Sequence, residues 1–482
     1  MSGALYLDAG SFHDLNLGGR RVLFHLPSSA LFALDGVGEE VLDFFKSRSQ
    51  VSENEVRDWI STRSGAPLSP AQVAEAIQDL RGLDILRAEQ GRQAPTPAIR
   101  LEDYPLNTLV LSVANGCNLA CGYCYKEDLQ SPLNSRKMDS ATARRGVDLL
   151  LKESAARPEV NLAFLGGEPL TNLALIRDVV DYAEARCAEA GQRVNFTLTT
   201  NATLLDEQCV DYFDQHRFGI AVSIDGPRDI HDRRRKTLGG KGSYQVVAAK
   251  AKMLLGRYRS RPVGARVTLS AGATDVVAIH RHLKDELGFF EVGFAPVTTS
   301  PRHETNLSVE ELAQVFAGLK TLGREYVAAA VDNRNIGFSN MQQMLGELWA
   351  GSRKALPCGA GVGLLALDGD GSLNLCHRFA GSTLPSFGDL DSGIAREPLL
   401  EFLQAAAALP GRDCAACRIR NLCAGGCYHE SYARYGNPLA PTSHYCELMR
   451  EWVDFGLAAY VELQEKNPHF FSQHIGTRRA QR

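Results

Sequence analysis

Three cysteines, Cys117, Cys121 and Cys124, stand at CxxxCxxC spacing in CNLACGYCY, directly after the apolar run NTLVLSVA. Three thiolates on one loop are one too few for a closed zinc site. A 4Fe-4S cluster held by three cysteines instead leaves one iron free to bind a substrate or cofactor. A zinc site completed from elsewhere in the chain is the alternative. Seven more cysteines fall between 358 and 446: Cys358, then Gly371 with four residues before Cys376, then Cys414, Cys417, Cys423 and Cys427 as CxxCxxxxxCxxxC, and finally Cys446. Cys187 and Cys209 stand apart in helical patterns and read as buried small hydrophobes. Clusters this dense in a reducing compartment hold metal rather than disulfides.

Other polar groups follow apolar runs in the same way. Gly166, Gly167 and Glu168 in FLGGEP combine close backbone approach with exposed carbonyls and a carboxylate, a set suited to an ammonium group. Thr199, Thr200 and Asn201 offer hydrogen bonds after the next run. Ser223 and Asp225 in SIDGP, with His231, Asp232 and Arg235 beyond them, bring a hydroxyl, a carboxylate and a guanidinium that can fork a carboxylate. The neighbouring Arg233, Arg234 and Lys236 read as a solvated run.

These residues need a frame. Strand-like runs begin near 107, 159, 193, 218, 263 and 290, and helical patterns near 139, 173, 206, 242, 275 and 308 fill the gaps. Six βα units imply parallel strands with right-handed crossovers, curved into an open barrel with its chemistry at the carboxyl ends of the strands. Ahead of them, a hairpin at Arg21 to Ala33 turning at Pro27-Ser28-Ser29, three helices with capping-box starts at Ser52 and Ser69, and a last strand Asp84 to Ala88 make a winged-helix-like unit. Val73, Ile77 and Leu80 share one helical face. The polar stretch Glu89 to Tyr104 carries two prolines and reads as a connection. Beyond about 340 the alternation gives way to Gly, Cys and short segments with little core of their own. A helix is expected over Glu451 to Lys466, and Asn467 to Arg482 reads as a frayed tail.

The cysteine loop after the first strand, GGEP after the second and SxDG after the fourth together resemble the radical S-adenosylmethionine superfamily. The resemblance implies that Cys117, Cys121 and Cys124 hold a 4Fe-4S cluster chelating the methionine moiety. It further implies that Gly166, Gly167 and Glu168 meet its ammonium, that Ser223 and Arg235 meet ribose or carboxylate, that Thr199, Asn201 and Asp225 line the cofactor, and that Tyr123 lies near the adenine. Asn201-Ala202 departs from the Asn-Gly of many relatives. The seven later cysteines resemble the SPASM extension of peptide-modifying radical enzymes. They imply two auxiliary 4Fe-4S clusters, one on Cys414, Cys417, Cys423 and Cys446 and one on Cys358, Cys376 and Cys427, the latter short of a ligand. An open iron there could take a substrate thiolate.

The whole chain then divides as 1–95 winged-helix-like precursor recognition, 96–105 linker, 106–335 partial (β/α)6 TIM-like radical SAM barrel, 336–450 iron-sulfur SPASM domain and 451–482 C-terminal helix and tail. Segments LPCGAGVGLLALDGDGSLNLCHRF and CAGGCYHESY are most similar to the quinohemoprotein amine dehydrogenase maturation proteins. The similarity implies thioether links between cysteine sulfur and Asp or Glu methylene carbons in a small cysteine-rich dehydrogenase subunit, with three clusters, S-adenosylmethionine and an electron donor such as flavodoxin or ferredoxin. Sactipeptide-type modification of another ribosomal peptide is the alternative. Formylglycine-forming sulfatase maturases carry an aspartate base after the cysteine matching Cys376, where this chain has His377, a candidate proton acceptor or a second donor to cluster sulfur.

Composition excludes other classes. At 482 residues, 44% apolar and 22% charged, the chain is neither disordered nor fibrous. Its net charge of −4 gives no polyanion-binding signature, and residues 1–95 hold nine Lys or Arg against thirteen Asp or Glu, which disfavours phosphate contacts. An iron-sulfur DNA-binding sensor is therefore the weaker reading, and that unit is expected to pair a strand edge with a precursor leader, as the resemblance of LFHLPSSALFALDGVGEEVLDFF to such domains implies. No apolar run reaches the roughly 18 residues of a membrane helix and no secretory start is present, so the expected location is the cytoplasm.

Overall fold

The computed structural model describes residues 4–48, 50–62, 69–89, 99–125, 136–154, 157–408, 414 and 417–476. Six strands, Thr108–Ala114, Glu159–Gly166, Arg193–Thr200, Gly219–Ser223, Gly264–Leu269 and Glu291–Pro296, lie parallel and in chain order. Helices Ser140–Glu153, Leu173–Glu189, Glu207–Gln215, Tyr244–Arg257 and Val276–Arg281 lie between successive strands, and Val309–Val331 follows the last. The strands form because their apolar runs are covered on both faces. Leu109, Val110, Leu111 and Val113 are all buried, as parallel sheets require. The helices start where short polar side chains satisfy free amides: Asp139 accepts from Thr142, Asp206 from Cys209, and Ser308 forms a capping box with Glu311. The rings of Phe164, Phe196 and Phe218 stack beneath the sheet, with centroids 5.3 to 6.2 Å apart. Because all six strands point the same way, the loops that follow them meet at one end.

The sheet is wider than six strands. Leu364–Leu367 pairs parallel with Thr108–Ala114, and Leu373–Asn374 turns back antiparallel, giving eight strands. The region beyond 340 also has a core of its own, contrary to expectation: Leu375, Phe379, Leu399, Leu403 and Tyr428 form a second buried cluster. Helix Arg396–Ala407 belongs to it, helix Ser339–Trp349 packs in the main core, and the last long helix starts at Cys446 rather than Glu451. Nor does the tail fray where expected. Phe470, Phe471 and Ile475 are buried, with Phe471 stacked 5.0 Å from Trp349, because three apolar side chains outweigh the polar average of the segment. Residues 477–482 lie outside the described residues.

The amino-terminal unit has the expected hairpin, Arg20–His25 with Ala30–Ala33, plus a further strand, Phe12–Leu17, joined through Gly18 and Gly19. Both glycines have positive φ, +61° and +82°, the conformation a two-residue hairpin turn needs. Three helices follow, Gly36–Lys46, Glu53–Thr62 and Pro70–Gly82. Ser52 and Glu55 form their reciprocal cap, whereas the Ser69 side chain makes no cap bond. The closing strand shortens to Leu86–Arg87 and pairs with Tyr6–Leu7. Val73 and Leu80 are buried in this unit, with Ile77 packed beside them. The hairpin is docked on the rest of the chain: Phe24 and Leu26 join the main core, Asn421 donates to the Leu26 carbonyl, and Arg353 donates to that of Pro27 at 3.0 Å. Of the expected connection, 90–98 lies outside the described residues, while Leu101–Asp103 forms a 3₁₀ turn. Among the described residues no helix is long and apolar enough to cross a membrane.

Candidate functional site

The loop carrying Cys117, Cys121 and Cys124 leaves the first barrel strand and is clamped by two neighbouring loops. Ala120 and Gly122 donate to the carbonyls of Lys236 (2.7 Å) and Arg234 (2.9 Å), and Leu119 bridges Thr237. The arginine-rich run is therefore not simply solvated, as expected from sequence. Its backbone cradles the cysteine loop, while Arg234 pairs with Glu304 at 2.8 Å and Arg233 donates to the Gly272 carbonyl. The second clamp is the GGEP turn. Gly167 and Glu168 donate to the carbonyls of Ala114 (2.8 Å) and Gly116 (3.0 Å). A Cβ at Gly166 or Gly167 would collide with those same backbone groups, which is the physical reason for two glycines there.

Glu168 is buried and ties three strand ends together: it accepts from Thr200 Oγ1 (2.6 Å), Asn201 N–H (2.7 Å) and Leu170 N–H (3.1 Å). Burial lifts its carboxyl to about 7 although these donors pull the other way. Asn201 reaches the cysteine loop directly, with Nδ2 donating to Asn118 Oδ1 at 2.9 Å and lying 3.7 Å from Cys117 Sγ. Ala202 has φ of +63°, so the position where many relatives have glycine does need the left-handed conformation. Thr199 and Ser223 end their strands half-buried, on the faces opposite Leu198 and Val222.

Behind the cysteines lies a buried triad. Arg235 donates from Nε to Asp225 Oδ2 at 2.9 Å, the Tyr123 hydroxyl donates to the same oxygen, and the guanidinium sits 5.4 Å above the Tyr123 ring. Asp225 Oδ1 accepts from Thr268 N–H at 3.0 Å. His231 is fully buried between Asp225 N–H and Ser243 Oγ, and burial drops it to about 4, so it is a neutral positioning group. Asp232 caps the Tyr244 amide at 2.8 Å.

The cysteine thiols are perturbed by burial and by one another. Burial pushes Cys117 up to about 12 and Cys121 to about 11, and each also responds to charge on its neighbours. Cys376, pushed up to about 12 chiefly by burial, responds to Cys427 and Cys358. Cys423 responds to Cys446, Cys417 and Cys414. No disulfide joins any of the twelve, and Cys187 and Cys209 are buried in helices as expected. Sulfur-directed donors, Leu119 N–H at 3.4 Å and Asn201 Nδ2 on Cys117, suit a thiolate bound to iron, so the chemistry of the donors around Cys117 fits a cluster.

Tyr125 joins the first cysteine loop to the residues after Cys376, a role its sequence position beside Cys124 only hinted at. Its ring lies 6.4 Å from His377 and 5.3 Å from His429, with Arg378 5.2 Å above it, and Arg378 donates to Thr298 Oγ1 at 2.9 Å. His429 is buried, and burial drops it to about 3. Neither Tyr125, Asn118 nor His429 was singled out by motif, since each lies beside a cysteine that carried the signal.

Similarity to known proteins agrees with this geometry. The family "4Fe-4S single cluster domain" matches residues 108–248. The serine-type anaerobic sulfatase-maturating enzyme of Klebsiella aerogenes is 24% identical over 405 residues, covering 78% of this chain and 96% of that one. A solved structure of native anSMEcpe with bound AdoMet superposes with TM-score 0.64 at 19% identity, over 75% of this chain and all of that one. Streptococcus suis SuiB bound to precursor peptide SuiA gives TM-score 0.51 at 15% identity, over 92% of this chain and all of that one. The chain is thus similar over most of its length to anaerobic sulfatase-maturating enzymes and shares the fold of anSMEcpe and SuiB.

Proposed function

We propose that this protein is a radical S-adenosylmethionine maturase that forms thioether cross-links in a polypeptide, joining cysteine sulfur to Asp or Glu methylene carbons in the small subunit of quinohemoprotein amine dehydrogenase. The observation that carries the radical reading is the three-thiol loop held at the strand ends by Glu168, Asn201 and the 234–237 backbone. Cys117, Cys121 and Cys124 would hold a 4Fe-4S cluster, which when bound would supply the electron for reductive cleavage of S-adenosylmethionine and so the means to take hydrogen from an unactivated carbon.

The chain's own residues bind and orient. Gly166 and Gly167 let the GGEP backbone approach the cofactor ammonium, and Glu168 fixes that turn. Asp225 orients Arg235 beside the loop, Tyr123 walls the adenine side, and Thr199 and Ser223 offer hydroxyls from the barrel lumen. Cys414, Cys417, Cys423 and Cys446 would hold one auxiliary cluster and Cys358, Cys376 and Cys427 another. Residues 1–95 take the precursor, and a small electron-transfer protein supplies reducing equivalents. A peptide substrate is supported by relatives named as sulfatase-maturating enzymes and by SuiB, solved with its precursor peptide. That similarity also favours a second reading, sulfatase maturation, against which stands His377 directly after Cys376. A sactipeptide-type precursor is the remaining alternative.

The radical reading is tested with Cys121→Ala. Reconstituted wild-type protein is expected to form 5′-deoxyadenosine from S-adenosylmethionine under reduction, and the variant to form none while keeping its other iron. Turnover by the variant at the wild-type rate would refute it.

A further inference from the structure

The set Cys358, Cys376 and Cys427 is one thiol short, and the residue that follows Cys427 carries an unexplained group. Tyr428 is 5% exposed, and its hydroxyl has no hydrogen-bond partner among the described residues. Its ring is fixed in the second core, 5.3 Å from Phe402 in an edge-on contact, so the hydroxyl cannot swing out to water without breaking that packing. Cys376 packs against the same buried cluster, and Cys427 immediately precedes Tyr428 in the chain. A buried phenol left without an acceptor is costly, and native interiors rarely keep one without a reason. His429, the next residue, also has an unpartnered ring nitrogen, but its ring packs on Tyr125 and Phe379 and responds to Arg378 rather than to the thiols. The two orphans therefore serve different sites.

We propose that the Tyr428 phenol donates its O–H hydrogen bond to a sulfur of the iron-sulfur cluster held by Cys358, Cys376 and Cys427. The inference rests on the reading that these three cysteines hold a cluster. Cysteine thiolate and bridging sulfide both accept hydrogen bonds, and such bonds stabilise the more negative reduced state, raising the reduction potential. Tyr428 is thus a positioning residue: it holds the cluster in place and tunes its potential without ligating iron.

The test compares wild-type protein with Tyr428→Phe, each as cluster-loaded protein and as cluster-free protein. In the loaded variant, iron content is expected to stay at the wild-type value. In an EPR-monitored redox titration the potential of this auxiliary cluster moves negative, while that of the Cys117 set does not move. The loaded variant melts lower than wild type, whereas the cluster-free variant melts at the same temperature or higher, because only the loaded protein gives the hydroxyl a partner. An unchanged potential overturns the proposal. So does an equal loss of melting temperature in both forms, which marks ordinary packing, and so does loss of iron, which marks ligation. Cys376→Ala separates the underlying reading from the inference: if that variant keeps all its iron, no cluster sits on this set and the failure belongs to the earlier reading.

Discussion

Asp225 and Arg235 form a nearly fully buried ion pair, 9% and 3% exposed at the arginine and aspartate side chains, directly behind the cysteine loop. A buried pair contributes little net stability over a hydrophobic alternative, but removing one partner strands the other charge and costs about 3–5 kcal/mol. Asp225→Asn is therefore expected to lower the unfolding free energy of the cluster-free protein by about that much, read from urea denaturation. A loss under about 1 kcal/mol would mean that Arg235 finds another partner and that the triad does not fix the loop. The sequence marked both residues through SIDG and the guanidinium spacing, and assigned them to the cofactor. What it could not reveal is that both carboxylate oxygens of Asp225 are engaged, by Tyr123, Arg235 and Thr268, since those partners come from three separate loops and strands. Ala202 shows the converse. Its departure from glycine was visible in the chain, and the strain of about 1–2 kcal/mol expected at positive φ is offset in part by a methyl buried in the core.

Among the elements, the six barrel strands and their helices were legible because their periodicity is long and their caps are strong. Elements that escaped share a different property. Leu364–Leu367 is four residues long and is a strand only because Thr108–Ala114 offers its edge, and Phe12–Leu17 alternates too imperfectly to stand out beside the Gly18-Gly19 turn that completes it. The three-stranded sheet order leaves Phe12–Leu17 and Ala30–Ala33 as its outer strands. Outer strands are the places where an extended peptide can add itself. If residues 1–95 take the precursor this way, hydrogen exchange of the full chain with precursor bound will slow in one of these two strands and not in the central Arg20–His25. Unchanged exchange in both outer strands would remove the recognition role from this unit.

Across the whole molecule, the amino-terminal unit is packed against the cysteine-rich carboxyl-terminal region. The hairpin docks on Asn421, in the short helix Arg420–Cys423, and His13 reaches Asp454 at 3.3 Å, which in turn pairs with Arg418. Tyr125 links the first cysteine loop to His377 and His429 on the far side. Cysteine spacing alone marked two cysteine-rich regions, and the division of the second into two ligand sets is what the family resemblance implies. The contacts between sets depended on tertiary packing and were not legible. The central claim is the reaction itself. It is tested most directly by mass spectrometry of the cysteine-rich dehydrogenase subunit after anaerobic incubation with reconstituted enzyme, reductant and S-adenosylmethionine. The account predicts loss of two hydrogens per link, with the linked thiols protected from alkylation and the new bonds at Asp or Glu. An unchanged mass, with 5′-deoxyadenosine formed, would contradict this substrate and this bond while leaving the radical enzyme in place.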